Sequence, residues 1–164
     1  LCNMIQRIQS VFLALIVIIL ASLCGFSIIH LVDVEPNAKT TEYVLSLFYF
    51  NKLENGLLVD SQLQIILILL VSIIIGLSIF ILMNYKNRLI QMKFTLFNMV
   101  AILSLLAAFT VKAYHFVPNF NAEKLLLPSI IGMALFLFVA YLNLRVFFLI
   151  KKDDELVKSA DRIR

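Results

Sequence analysis

Two histidines and nearby acids are the side chains of this sequence best suited to metal or acid–base chemistry. His30 and His115 each follow an apolar run, and Asp33 and Glu35 lie close to the first of them. Imidazole and carboxylate groups are common zinc ligands, so these four residues form the candidate metal set. The histidines have neither the HExxH spacing nor a short His-to-His spacing that places two ligands on one helix face. We therefore expect solvated histidines, no metal and no other cofactor.

Nucleophilic, nucleotide and proton-relay chemistry has no support in the sequence motifs. No GxSxG, Walker-type loop or GxGxxG occurs. Cys2 and Cys24 form no CxxC pair, and Cys24 lies within an apolar run, where a cysteine usually packs as a small hydrophobic residue. The long apolar runs contain no Asp, Glu or His, the residues that mark ion and proton paths. The prediction is a protein that is not an enzyme.

The composition is typical of a membrane protein. Hydrophobic residues make up 62% of the 164 residues, charged residues 15%, and the mean hydropathy is +1.01. Soluble domains have about 45–50% apolar and about 25% charged residues. Four apolar runs can cross a hydrocarbon core of about 30 Å, and each must be helical because a lone strand cannot satisfy its backbone in lipid. We expect an all-α fold, a single integral membrane four-helix bundle with spans at residues 11–29, 63–83, 94–114 and 125–150.

The charges between these runs predict an orientation. The loop 84–93 carries Lys86, Arg88 and Lys93 without an acid, and the tail 151–164 is rich in Lys and Arg, whereas the segment 31–62 carries five acids and two lysines. Because Lys and Arg in short loops mark the cytoplasmic side, both termini are predicted to be cytoplasmic and 31–62 to be outside. The basic residues flank spans rather than one folded face, so the net charge of +4 predicts no nucleic-acid partner.

The segment 31–62 is longer than a usual helix connection, and we expect it to be structured. Its aromatic stretch 43–50 favours a surface-lying helix or a short hairpin, and residues 51–56 favour a turn in which Gly56 takes a positive φ. In the tail, Leu156, Ala160 and Ile163 share a helical face, which fits either an amphipathic helix or a continuation of the last span.

Two asparagines are the candidate polar contact between spans. Asn98 lies early in the third predicted span and Asn143 late in the fourth, so antiparallel helices would hold them at a similar depth. A hydrogen bond between such side chains contributes about 0.6 kcal/mol on average.

Both ends of the chain resemble a known family. MIQRIQSV at residues 4–11, with IKKD at 150–153 and LVKSADRIR at 156–164, resembles an uncharacterised family of four-span membrane proteins from Bacteroidetes, a domain of unknown function. Its members begin with MIQRIQ and end in a tail like LVRSADRLR, so Lys158 and Ile163 are mild departures. Met4 resembles a natural start, which leaves open whether residues 1–3 are native. The resemblance implies a bacterial inner-membrane location and adds no activity.

The resemblance also directs attention to the cytoplasmic ends as a docking surface. Arg7, Gln9, Arg162 and Arg164 are the candidate contacts with a protein partner or with lipid headgroups. The leading hypothesis is a non-enzymatic structural or accessory subunit that binds partners through the segment 31–62 and the cytoplasmic ends, in contact with membrane lipids and with a protein partner or a second copy.

Two alternatives remain open at this point. A small oligomeric transporter or channel for a small molecule or lipid would need a polar path, for which the available side chains are Ser22, Ser27, Ser72, Ser78, Ser104 and Thr110. A membrane enzyme would need His30 and His115 to meet the acids of the segment 31–62.

Overall fold

Four helices and four strands make up the described part of the chain. The computed structural model describes residues 2–34, 40–84, 87–117 and 127–161. The helices are α1 (Cys2–Gly25), α2 (Ile65–Met83), α3 (Arg88–Phe116) and α4 (Leu127–Asp161), and the strands are β1 (Ile29–Val34), β2 (Thr40–Leu45), β3 (Tyr49–Glu54) and β4 (Leu57–Leu63). Each helix contains a stretch long and apolar enough to cross a membrane. The helices indicate a membrane protein.

The strands show that the expected all-α class and the plain four-helix bundle are wrong. The segment between α1 and α2 is a four-stranded antiparallel sheet in the order β1-β2-β3-β4, rather than a surface helix or a single hairpin. Thr41, Tyr43 and Leu45 are buried while the residues between them are not, and this period of two is that of a half-buried strand. The apolar stretch 43–50 is too short to cross a membrane. It is divided between β2 and β3, and each of these strands has buried residues.

The β3–β4 hairpin contains the turn that the sequence predicts. Asn55 has a φ of 51° and Gly56 a φ of 77°, and they are the two residues between the strands. Positive φ at both central positions belongs to the type I′ turn, for which Asn-Gly is a preferred pair. The strands pair from Glu54↔Leu57 to Tyr49↔Leu63, with an irregularity between Lys52 and Leu53.

Helix packing follows regular stripes of buried residues. α1 packs against α2 and α4, and α3 packs against the same two helices. The buried stripe of α2 repeats at intervals of three and four residues: Leu67, Val71, Ile74, Ser78 and Ile81. This spacing places them on one side of the helix. Apolar residues on other sides, such as Leu69 and Val100, are more than half exposed and are suited to contact with lipid.

The sheet covers one end of the helices, which we call the sheet end. The β1 strand follows α1 closely, and β4 leads into α2 through the single residue Gln64. The ring of Phe50 lies 5.8 Å from that of Phe109 and 5.5 Å from that of Phe116, and Tyr43 lies 6.1 Å from Phe116. These aromatic contacts join the sheet to α3 in one core. The opposite end, where α2 meets α3 and α4 finishes, is the loop end.

The helices extend beyond the predicted spans at the loop end. α3 begins at Arg88 rather than near residue 94, and the side chain of Asn87 caps it by accepting a hydrogen bond from the N–H of Ile90. Most of the loop 84–93 is therefore helical. α4 continues without a break to Asp161, so the described part of the tail extends the last helix.

Candidate functional site

A polar cleft lies at the sheet end of the described structure. We call it the sheet-end cleft; its volume is about 390 Å³, and it is lined by Tyr43, Phe50, Lys52, Asp60, Gln62, Gln64, Lys112, His115 and Phe116. It lies between one face of the sheet and the last turns of α3. Pockets for small ligands are commonly of about 300–1,000 Å³, so the cleft can hold a small polar group.

The sheet wall of the cleft changes from apolar to polar across the strands. Leu31, Tyr43, Lys52 and Asp60 are cross-strand neighbours in β1, β2, β3 and β4, so they share the face towards the helices. Leu31 and Tyr43 are buried, whereas Asp60 is exposed. The sheet thus packs on the helices through its first strands and presents polar groups where its last strands face the cleft.

The helix wall of the cleft carries two basic side chains. Lys112 and His115 are three residues apart in the last turns of α3, a spacing that places them on one side of the helix. Neither forms an ion pair with another residue in the described ranges, and both are exposed.

The sheet wall is more nearly balanced in charge. Lys52 Nζ lies 2.9 Å from Glu54 Oε1, and Asp60 Oδ2 accepts a hydrogen bond of 3.1 Å from Gln62 Nε2. With the imidazole of His115 neutral, the lining of the cleft carries two positive charges and one negative charge. The cleft is thus suited to an anionic group. The carboxylate of Asp60 is also available to accept a hydrogen bond from a donor group.

The two edges of the sheet differ in their cover. At the β1 edge, the N–H of His30 donates to Ser129 Oγ at 2.7 Å, and that hydroxyl donates to the carbonyl of His30 at 3.0 Å. Gly132, one turn further along α4, lets the helix approach the backbone of Ile28: a Cβ there would lie 2.8 Å from the Ile28 oxygen. A serine and a glycine of α4 therefore cover the start of this edge, at Ile28 and His30.

The β4 edge has no such cover in the described part of the chain. All seven residues of β4 are exposed, among them Leu57 (73%), Leu58 (61%) and Val59 (58%). Among the described strands β4 pairs with β3 alone, so its other side presents backbone groups that no other described strand pairs with. An exposed apolar edge strand is a template for pairing with another chain.

His30 and His115 lie in different places. His30 is on the sheet face opposite the cleft, because its neighbour Leu31 faces the helices, and its Nε2 lies 3.5 Å from Glu42 Oε2 without an aligned hydrogen bond. His115 lines the cleft. No three His, Cys, Asp or Glu side chains in the described ranges are grouped so that they could hold one metal ion. Among these residues the geometry brings together no set of ligands for the metal hypothesis.

A buried polar cluster joins α2, α3 and α4 near the loop end. Asn98 Nδ2 donates to Asn143 Oδ1 at 3.0 Å and to Ser78 Oγ at 3.2 Å, and Asn143 Nδ2 donates to the carbonyl of Thr95 at 3.1 Å. The structure thus brings together the two asparagines that the sequence singled out. Each cross-helix bond of this kind contributes about 0.6 kcal/mol. The cluster fixes helix positions and leaves the Asn98 Oδ1 atom without a hydrogen-bond partner among the described residues.

No pattern in the sequence predicts the ion pair that lies at the loop end. Arg88 Nε donates to Asp153 Oδ2 at 2.6 Å, and Asp153 is only 2% exposed. By sequence pattern Arg88 belongs to a basic loop and Asp153 to the cytoplasmic tail. No local signal joins residues 65 positions apart.

The predicted docking residues are only partly within the described ranges. Arg7 lies on α1, and Gln9 is 4% exposed, with its Nε2 atom unpaired among the described residues. Arg162 and Arg164 lie outside the described residues. The geometry therefore places Gln9 among the packed helices.

The side chains proposed for a polar path do not converge. Ser72, Ser104 and Thr110 are exposed, and each donates to a carbonyl of its own helix. Ser22 and Ser27 border an apolar pocket of about 360 Å³ between α1 and α4, and Ser78 belongs to the polar cluster. The helix interior between the polar cluster and the sheet is apolar among the described residues, with Ile102, Leu105 and Phe109 on α3.

Taken together, the fold and these sites define a membrane protein with four apolar helices. A sheet covers one end of these helices, and in the described part of the chain its β4 edge is open. The chain matches the family described as Domain of unknown function (DUF4293) over residues 5–163, and it belongs to that family. This match confirms the expectation of a family of unknown function. No curated protein and no solved structure matches the chain.

Proposed function

We propose that this chain is a non-catalytic accessory protein of the bacterial inner membrane that binds a partner protein through the open edge of β4. The observation that carries the proposal is the contrast between the two edges of one sheet. In β1 the backbone of His30 bonds to Ser129 of α4, whereas the whole of β4 is exposed. Soluble edge strands are usually protected by charge, proline or cover, and β4 begins instead with Leu57, Leu58 and Val59.

Strand addition is the binding mode that fits this edge. An added strand from a partner would take up the unpaired main-chain groups of β4, and the apolar side chains would give it contact area. Asp60 and Gln62 follow these apolar residues in β4 and line the cleft. A partner with an extended apolar segment is therefore the expected binder, and a second copy of this chain could supply that segment.

Charge supports an orientation in which the sheet is outside the cytoplasm. The described helix residues beyond the apolar stretches at the loop end include Arg88, Lys93, Lys151, Lys152 and Lys158. Positive charge flanking spans favours the cytoplasmic side, so both chain ends are proposed to be cytoplasmic. The basic ends, with Arg7, Arg162 and Arg164, remain a second proposed contact surface for lipid headgroups or a partner.

The test compares three tagged proteins purified in mild detergent from the native host at native expression level. Leu58→Lys places a charge on the open edge, and Tyr49→Lys places the same charge on an exposed site of the inner strand β3. We expect wild type and Tyr49→Lys to retain a stoichiometric partner and Leu58→Lys to lose it. The particle mass separates a foreign partner from a second copy.

Two outcomes would overturn this function. The first is recovery of the wild-type protein alone as a monodisperse monomer. The second is a partner that remains bound equally well in the Leu58→Lys protein, because the contact would then lie elsewhere.

A further inference from the structure

We propose that the sheet-end cleft binds a phosphate ester, with the phosphate held by Lys112 and His115 and a donor group of the alcohol portion held by Asp60. Asp60 belongs to β4, but its side chain lines the cleft, whereas strand addition would use the main chain at the β4 edge. The alcohol portion would carry an ammonium or a hydroxyl group. Such esters occur as membrane lipid headgroups and as soluble metabolites, and the chemistry of recognition is the same for both.

The helix wall is suited to the phosphate. The ammonium of Lys112 and a ring N–H of His115 lie on one side of α3, one turn apart, and neither side chain is used in an ion pair with another described residue. Hydrogen bonds from charged donors to phosphate oxygens are shorter and stronger than bonds between neutral groups. The second lysine, Lys52, pairs with Glu54 and so contributes less to anion binding.

The sheet wall is suited to the donor group. Asp60 is exposed, and its Oδ2 atom accepts one bond from Gln62 within the same strand. A carboxylate has about four acceptor positions, so Asp60 retains capacity for an ammonium or hydroxyl group. An anion alone would be repelled by this carboxylate. The pairing of Asp60 with the basic helix wall therefore favours a ligand that carries both kinds of group.

The position of the cleft matches the boundary of the apolar helix surface. Val111 and Tyr114 of α3 are exposed beside Lys112 and His115, at 56% and 72%. A lipid whose chains run along this apolar surface would bring its phosphate to the level of the cleft. Lysine at the end of a spanning helix typically reaches towards headgroups, and the sheet would turn this general contact into a defined site.

The experiment measures binding to the intact purified protein in neutral detergent by isothermal titration calorimetry. The probes are dihexanoyl phosphatidylethanolamine and soluble phosphoethanolamine. The variants are Lys112→Gln and Asp60→Asn, both at exposed positions, and the control is Lys93→Gln, which removes the same charge from an exposed site of α3 at the loop end.

The expected result is loss of affinity in both cleft variants and none in the control. Lys112→Gln should weaken binding about tenfold or more, the change that follows from losing one charge-assisted hydrogen bond. Asp60→Asn should also weaken binding. Tighter binding of the lipid probe would identify a headgroup site, and equal binding of both probes would identify a soluble ester; either result supports the proposal.

Three results would overturn it. The first is that neither probe binds the wild-type protein at millimolar concentration. The second is an affinity of Lys112→Gln equal to that of Lys93→Gln, which would mean that binding is not in the cleft. The third is tighter binding by Asp60→Asn than by wild type, which would show that Asp60 only repels the ligand.

Discussion

Replacing Gly132 by alanine should destabilise the protein, although the same change usually stabilises a helix. Gly132 is the residue at which α4 meets the backbone that leads into β1. An added Cβ would lie 2.8 Å from the Ile28 oxygen and 2.9 Å from the Ile28 Cα. Both are main-chain atoms, so no side-chain rotation can relieve the contact. At Gly76, on α2, an added Cβ meets nothing within 4 Å, and Gly76→Ala is the matched control.

The magnitude follows from two opposing terms. Alanine gains about 1 kcal/mol over glycine within a helix. At Gly132, α4 must move away from Ile28 by about 0.5 Å or more to restore normal contact, and overpacking of this kind costs about 1–3 kcal/mol. The same shift stretches the two hydrogen bonds between Ser129 and His30, each worth about 0.6 kcal/mol in a membrane protein. We expect Gly132→Ala to lower the free energy of unfolding by about 1–2 kcal/mol and Gly76→Ala to raise it by up to about 1 kcal/mol.

The assay is reversible unfolding by SDS in mixed micelles, followed by helical circular dichroism. Hydrogen exchange of the His30 amide gives a second measurement, because that N–H loses its bond if α4 retreats. A Gly132→Ala protein that is as stable as wild type, with unchanged exchange at His30, would refute the close approach of α4 to the sheet.

Three further changes test other parts of the fold. Asn143→Ala removes two cross-helix hydrogen bonds and should cost about 1 kcal/mol, with a coupling of about 0.6 kcal/mol in a double-mutant cycle with Asn98→Ala. Asp153→Asn leaves the three-quarters-buried Arg88 without its anion, and we expect a loss of about 2 kcal/mol by the same SDS titration. Gly56→Ala forces a side chain into a φ of 77° and should cost about 1 kcal/mol, measured in the same way.

Two residues outside the buried cluster and the buried ion pair provide the controls for these changes. Ser104→Ala on α3 removes only a bond within its own helix and should change stability by less than about 0.5 kcal/mol. Asp154→Asn removes a carboxylate that pairs with the exposed Lys158 and should also have a small effect. The polar cluster would be unimportant if Asn143→Ala matched Ser104→Ala, and the buried ion pair would be unimportant if the two aspartate variants behaved alike.

The apolar helices were predictable because their signal is local and redundant. The uncharged residues of α2 can only be placed in lipid or in a core, and any window across that run gives the same answer. The Asn-Gly turn was predictable for a similar reason, since few residue pairs accept two positive φ values. The pairing of Asn98 with Asn143 needed one further assumption, that consecutive spans are antiparallel.

The sheet was missed because its evidence is divided among four short strands. The buried Thr41, Tyr43 and Leu45 alternate in β2, but β4 is exposed along its whole length and has no such alternation. The strands become favourable only when the first of them pack on the helices, as Phe50 does on Phe109. Such packing joins residues that are distant in sequence, so no window along the chain contains it.

By itself the sequence determined that this protein has four apolar helices, which positions in them are polar, and where the chain turns between β3 and β4. These are properties of neighbouring residues and of the transfer of side chains into lipid. Only the tertiary structure decided that α4 covers the sheet edge at His30, that Arg88 meets Asp153, and that Lys112 and Asp60 face one cleft. Each of these depends on which surfaces pack together, because contacts between distant residues are set by the packing of whole elements.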